Sequence, residues 1–187
     1  MIKRAISFFL VLVLTFSFFV CGSGDPNTGS ISGLRGSEYT AYFHRLGLPR
    51  TEAPIVTLIS DSQELAAWRE TVQQEFADFR PGPNALDWWN NFFEENIGNY
   101  DDIFFKIHQL VFVSNLRASS STFYEVRRIR YQNGILYIRL RHFILGASGC
   151  WGRNSILLDS VPCIAIIELT RISPDLNIEL SIRDDVF

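Results

Sequence analysis

The distribution of apolar and polar residues predicts a short strand and helices in the N-terminal half of this chain and a series of strands in its C-terminal half. A β-branched run at residues 54–60, which begins with a proline, predicts the first strand. Ser60 with Gln63, or Asp61 with Glu64, then offers a capping box for the start of a helix. The apolar residues that follow recur at helical spacing: Leu65, Trp68, Val72, Phe76 and Phe79.

Aromatic and acidic residues are concentrated between residues 84 and 105. Their spacing predicts a second short helix, ended by Gly98 in the left-handed conformation, and a third helical turn from Tyr100. Two interpretations stay open for this segment. It suits a surface that binds a carbohydrate or a protein, but helices that pack on a sheet also need large apolar residues, which is the commoner use.

The Asn133-Gly134 pair is the strongest local signal in the chain. An Asn-Gly pair between two strand sequences predicts a type I′ hairpin, here joining strands over residues 122–131 and 135–144.

The register of this hairpin places Ile129 opposite Ile138 on a buried face and Arg128 beside Arg139 on the other face. Like charges that lie directly opposite each other are unfavourable. An acidic neighbour, an anionic ligand or a bulge must therefore relieve them. A bulge at residues 127–128 would also bring Val126 onto the face of Ile129.

Three further runs complete the predicted sheet. Residues 110–113 are apolar, residues 161–169 form a nearly continuous apolar run suited to a central strand covered on both faces, and residues 177–182 alternate. Together these elements predict an α+β fold in which a mainly antiparallel β-sheet packs against two or three N-terminal helices.

The N-terminus carries a basic start and an uncharged apolar run, which predict an export signal over residues 1–20. The segment that ends at Cys21 resembles a bacterial lipoprotein signal, in which the cysteine is acylated and becomes the new N-terminus. Phe18 and Val20 depart from the Leu and small residue usual at these positions. Ordinary cleavage near Gly22 or Gly24 and retention as an uncleaved anchor remain alternatives.

Gly and Ser dominate the next stretch, so residues 21–37 are predicted to form a lipid-anchored flexible tether. Residues 38–187 have the length of a single globular domain. We therefore expect the protein outside the cytoplasm, held at a bacterial membrane by an acyl chain such as palmitate.

Charge and cysteine content narrow the function classes. The chain has 17 Lys and Arg against 20 Asp and Glu, a formal net charge of −3, which disfavours nucleic acid as a partner.

If Cys21 is acylated, Cys150 and Cys163 remain as an even pair in an oxidising compartment. They form either a disulfide, contributing about 3 kcal/mol through a closed loop of about 14 residues, or two buried thiols.

Sequence motifs for catalysis and metal binding are missing. His44, His108 and His142 lack the spacing of a helical metal site, and no nucleophile elbow or phosphate-binding loop is present. We therefore expect no metal and no cofactor, and a binding role before an enzymatic one.

Two groups of residues are candidates for binding. Arg128, Arg139 and Arg141 share the polar face of the predicted hairpin, and Trp151 and Arg153 lie in a glycine-bearing loop. Aromatic and guanidinium groups are common binding residues at protein surfaces.

A family resemblance covers roughly residues 100–182. It rests on five features: Tyr100-Asp101-Asp102-x-Phe104-Phe105, Leu110-Val111-Phe112-Val113, Tyr124-Glu125-Val126, the Asn133-Gly134 hairpin and the strand that ends at Leu169. This set resembles the small β-rich domain of the PrcB family, accessory subunits of a surface protease complex. The family's Thr-Gly-Gly-Tyr segment is replaced here by residues 120–124. The resemblance implies an accessory or scaffolding role without catalytic residues.

The expected function is therefore that of an exported, lipid-anchored, non-enzymatic binding or accessory protein at the cell envelope, with the membrane and an envelope protein as partners. One alternative is a hydrolase of envelope polymers, in which Glu94 or Asp101 acts with another carboxylate. Another is a small-anion-binding protein that uses the arginines of the hairpin.

Overall fold

The computed structural model describes residues 27–45, 53–79, 85–118, 122–144, 161–173 and 176–186. Within these ranges, eight strands form one sheet and three helices lie between the third and fourth strands. The strands are β1 (Asn27–Ser32), β2 (Glu38–Arg45), β3 (Ile55–Ile59), β4 (His108–Ala118), β5 (Thr122–Gln132), β6 (Ile135–Ile144), β7 (Val161–Thr170) and β8 (Asn177–Val186). The helices are α1 (Ser62–Phe79), α2 (Ala85–Asn96) and α3 (Asp102–Ile107). The chain is broadly α+β, as predicted, with the sheet as its larger part.

The strands follow the order β3-β4-β7-β2-β1-β5-β6-β8. Neighbours are antiparallel except at β1–β5 and β6–β8, which run parallel. The prediction of N-terminal helices is wrong, because β1, β2 and β3 precede them. The first strand has little apolar alternation, and backbone pairing with β2 and β5 holds it in the sheet, whereas β2 alternates and turns Tyr39, Ala41 and Phe43 to the interior.

The globular fold begins earlier than the tether predicted over residues 21–37 allows. Asn27–Ser32 is a strand that pairs with both β2 and β5, and Ile31 on this strand is only 2% exposed. Gly33 ends it with a φ of +93°, where an added Cβ would lie 2.2 Å from the Tyr131 carbonyl oxygen. Gly33 therefore serves close backbone packing, which composition alone does not distinguish from a flexible linker.

The strand β7 is covered on both faces, as its continuous apolar run predicts. Ala165 and Ile167 point to the interior of the nearly closed sheet, where they join one buried cluster with residues of β5 and β6. Ile164 and Ile166 point outward and pack with Trp89 and other residues of the helices. Both clusters consist of residues that follow Asn27, so the chain from Gly22 onward keeps the whole described core.

The helix ends agree with the sequence prediction at α1 and differ from it at α2. The Glu64 N–H donates to the Asp61 carboxylate at 2.8 Å, and the Glu64 carboxylate accepts from the Ser60 N–H at 2.7 Å, so the capping box is confirmed. Gly98 does not adopt the left-handed conformation. Its N–H instead donates to the Phe93 carbonyl at 2.8 Å, which closes the helix without a left-handed residue.

Candidate anion-binding face

The β5–β6 hairpin has the turn and register that the sequence predicts. Asn133 and Gly134 have φ values of 54° and 79°, the positive values that a type I′ turn requires. Ile129 lies opposite Ile138, and Arg128 lies opposite Arg139.

The predicted bulge is also confirmed, since the register shifts between Val126 and Arg128. The extra residue, Arg127, is exposed, and Val126 takes the place opposite Leu140 on the interior face. The bulge therefore buries an apolar residue where a regular ladder would have turned an arginine inward.

Alternating burial along β6 orients its arginines outward. Leu136, Ile138 and Leu140 are buried in the interior cluster, with at most 1% of their surface exposed. Because successive side chains of a strand point to opposite faces, Arg139 and Arg141 lie on the exterior.

The exterior of β5, β6 and β8 forms what we call the arginine face. Its exterior positions are Phe123, Glu125, Arg128, Arg130, Gln132, Ile135, Tyr137, Arg139, Arg141, Phe143, Asn177, Glu179, Ser181, Arg183 and Asp185. Five arginines against two glutamates and one aspartate give these positions a net charge of +2, whereas the whole chain carries −3. Positive charge is thus gathered on one face of an acidic protein.

Arg141 is held by two side-chain contacts on this face. Its guanidinium lies 3.6 Å from the Glu125 carboxylate and stands over the Phe143 ring, 4.2 Å from the centroid. A guanidinium held by an ion pair and a cation–π contact is oriented before any ligand arrives.

Arg128 and Arg139 differ from Arg141 in their surroundings. They lie directly opposite each other, both are exposed, and in the part of the chain that the structure describes no carboxylate lies within ion-pair distance of either. Directly opposed residues have Cβ atoms about 5 Å apart, so the two guanidinium groups can share one anion. Each offers a planar fork that matches phosphate or carboxylate oxygens.

The structure thus brings together the three predicted arginines, Arg128, Arg139 and Arg141. It adds Arg183, which the sequence analysis missed. The alternation of Ile178, Leu180 and Ile182 predicts that Arg183 faces outward. The pairing of β8 with β6 joins segments that are far apart in the sequence, so no local pattern predicts it.

The remaining predicted site residues include several outside the described ranges: Cys21, Cys150, Trp151 and Arg153. Cys163 is buried in the interior cluster, where its thiol lies 3.7 Å from the Ile164 carbonyl oxygen. Its disulfide with Cys150 stays a prediction.

A second group of polar residues lies on the other side of β5, β6 and β8. His142 Nδ1 lies 2.9 Å from an Asp184 carboxylate oxygen, and the Tyr124 ring stacks on the imidazole with centroids 4.5 Å apart. The Tyr124 hydroxyl accepts from the Arg117 N–H at 3.0 Å. These contacts link β4, β5, β6 and β8 and give the group a structural role.

The carboxylates of the hydrolase alternative also make structural contacts. Glu94 lies 3.4 Å from Arg69, and the Asp101 side chain caps α3 by accepting from the Ile103 and Phe104 N–H groups. Within the described ranges, no cluster of three or more His, Cys, Asp or Glu residues could hold a metal ion.

None of the helices in the described ranges is both long and apolar enough to cross a membrane.

Alkaline pH is expected to destabilise the fold through its buried tyrosines and thiol. Burial raises the pKa of Tyr124 to about 12 from 10.0 and that of Cys163 to about 12 from 9.0, and burial with a hydrogen bond to Glu168 raises the pKa of Tyr100. Because these pKa values are higher in the folded state, the stability they contribute is complete below pH 9 and is lost as the pH rises toward 12.

Thermal unfolding followed by circular dichroism between pH 7 and 11 checks this, with a melting temperature that falls above about pH 9. Tyr124→Phe should flatten the alkaline decline, because it removes one of the titrating groups. An unchanged pH profile in this variant would contradict the assignment.

Comparisons with known protein families, with curated proteins and with solved structures find no match for this chain.

Proposed function

We propose that this protein is a non-enzymatic binding protein of the cell envelope and that the arginine face holds an anionic partner. The observation that carries the proposal is the directly opposed, exposed pair Arg128 and Arg139, which no described carboxylate neutralises. Opposed like charges destabilise a sheet. The bulge at Arg127 leaves Arg128 opposite Arg139, so their repulsion remains, and a bound anion would remove it.

The surroundings of this pair support binding before catalysis. Arginine stays charged at every physiological pH and is a poor proton donor or acceptor, but its fork binds phosphate and carboxylate strongly. The His142–Asp184 pair lies off the arginine face, and Asp101 caps a helix. The contacts of these groups do not favour the hydrolase alternative.

The location at the envelope is the second part of the proposal and rests on the sequence. The export signal over residues 1–20 and the acylation of Cys21 would place the domain at a membrane, outside the cytoplasm. An accessory role in a larger complex, which the resemblance to the PrcB family implies, fits a domain that binds through one charged face.

Binding of a soluble polyanion tests the proposal. We expect long-chain inorganic polyphosphate to bind the chain that starts at Gly22, with an affinity that falls as salt rises. Arg128→Gln with Arg139→Gln should weaken this binding about tenfold, because two charge-assisted contacts are lost. Isothermal titration calorimetry at two salt concentrations measures it.

Lys106→Gln is the matched control. Lys106 is an exposed cation on α3, away from the arginine face, and its replacement removes one positive charge, as Arg128→Gln alone does. Equal losses in Lys106→Gln and in the single variant Arg128→Gln would show attraction by net charge alone and would overturn the proposal.

A further inference from the structure

The start of the described chain lies beside the arginine face. The strand β1 neighbours β5 in the sheet and runs parallel to it, with Ile31 opposite Ile129. The Tyr39 hydroxyl lies 3.4 Å from both the Asn27 side-chain oxygen and the Val126 carbonyl oxygen. Asn27 is therefore level with the beginning of β5, one strand away from the arginines.

The same end of the hairpin exposes aromatic surface. Phe123 is 50% exposed and lies directly opposite Phe143 on the exterior of β5 and β6. Arg141 stands over the Phe143 ring. Exposed phenylalanine beside arginine is the combination that lies well at the boundary between lipid headgroups and acyl chains.

The distance between this face and a lipid anchor is short. Five residues separate Cys21 from Asn27, and the six Cα-to-Cα steps of a fully extended chain between them reach about 20 Å. A tether over residues 21–37 would have held the domain clear of the bilayer, but the fold takes up residues 27–37. An acyl chain at Cys21 therefore holds the arginine face close to the lipid headgroups.

We propose that the arginine face docks on the membrane that carries the anchor, by binding the headgroups of anionic phospholipids, with Phe123 and Phe143 at the lipid boundary. This inference rests on the proposed function, which it deepens by naming the anionic partner. Headgroup phosphates suit opposed guanidinium groups, and basic residues near an anionic bilayer gain free energy from its surface potential. The anchor supplies a high local concentration, so a weak affinity of the face itself is sufficient.

Vesicle co-sedimentation of the chain that starts at Gly22, which has no anchor, tests the face alone. At low ionic strength we expect binding to vesicles of phosphatidylcholine with phosphatidylglycerol and none to vesicles of phosphatidylcholine. Arg128→Gln with Arg139→Gln should weaken the binding roughly 30-fold, while Lys106→Gln leaves it near the parent level. Phe123→Ser by itself should also weaken vesicle binding, but without changing the salt dependence of that binding.

The outcomes separate this inference from the proposed function. Membrane docking is supported if the arginine variant loses vesicle binding and Lys106→Gln keeps it. If polyphosphate binds through Arg128 and Arg139 but the anionic vesicles do not, the face binds another anionic partner and membrane docking is overturned. If neither probe binds, both proposals fall. Circular dichroism of each variant shows that the fold is retained, so that a loss of binding is not a loss of structure.

Discussion

Replacing Phe112 with alanine should lower the free energy of unfolding by about 3–5 kcal/mol, the usual cost of deleting a buried phenylalanine ring. Phe112 is 1% exposed and lies on the side of β4 that faces the helices. Its ring stacks on the Trp68 indole of α1, with centroids 4.1 Å apart and planes 4° from parallel. The substitution therefore removes one of the contacts that join the first helix to the middle of the sheet.

Chemical denaturation followed by tryptophan fluorescence measures this loss. Phe123→Ala is the matched control, because Phe123 is 50% exposed and its ring leaves no cavity. Phe112→Leu, which keeps part of the buried volume, covers the case in which the alanine variant does not fold. Similar losses for Phe112→Ala and Phe123→Ala would mean that the helices do not pack on this side of the sheet.

Ile31→Ala should cost about 2–5 kcal/mol of unfolding free energy, which is large for a residue in a Gly- and Ser-rich stretch. Ile31 is 2% exposed and belongs to the interior cluster. It also bridges the two halves of the sheet, since β1 pairs with β2 on one side and with β5 on the other. If Ile31 lay in a flexible tether, replacing it with alanine would leave the free energy of unfolding unchanged.

The control is Ile55→Ala, the same substitution at a strand residue that is 48% exposed. Urea denaturation of both variants provides the comparison. If the two variants are equally stable, residues 27–32 are not part of the core. The inference that Cys21 lies a short distance from the arginine face would then be wrong as well.

Local patterns in the sequence determine much of the hairpin that carries the candidate site. The Asn-Gly turn sets the register, because only a turn with two positive φ values fits the twist of the strands. Once the register is set, alternation decides which side chains face solvent, and the need to bury Val126 places the bulge. The opposed pair of Arg128 and Arg139 was therefore predictable before any tertiary contact was known.

The order of the strands was not predictable in this way. Parallel pairing of β8 with β6 adds Arg183 to the arginine face, and parallel pairing of β1 with β5 brings Asn27, the first described residue, beside it. Both pairings join segments that are distant along the chain, and several arrangements would satisfy the same local alternation. Only the packing of the whole interior selects among them.

The sequence by itself determined the β-rich α+β class, the hairpin and its charged exterior, because these depend on periodicity and turn chemistry over neighbouring residues. The tertiary structure decided where the domain begins and which strands meet. Residues 27–32 have almost no apolar content, and one buried isoleucine with backbone pairing on both edges is enough to hold them. Such pairing depends on partners far away in the chain, so the same Gly- and Ser-rich sequence is a strand in this fold and would be a linker without it.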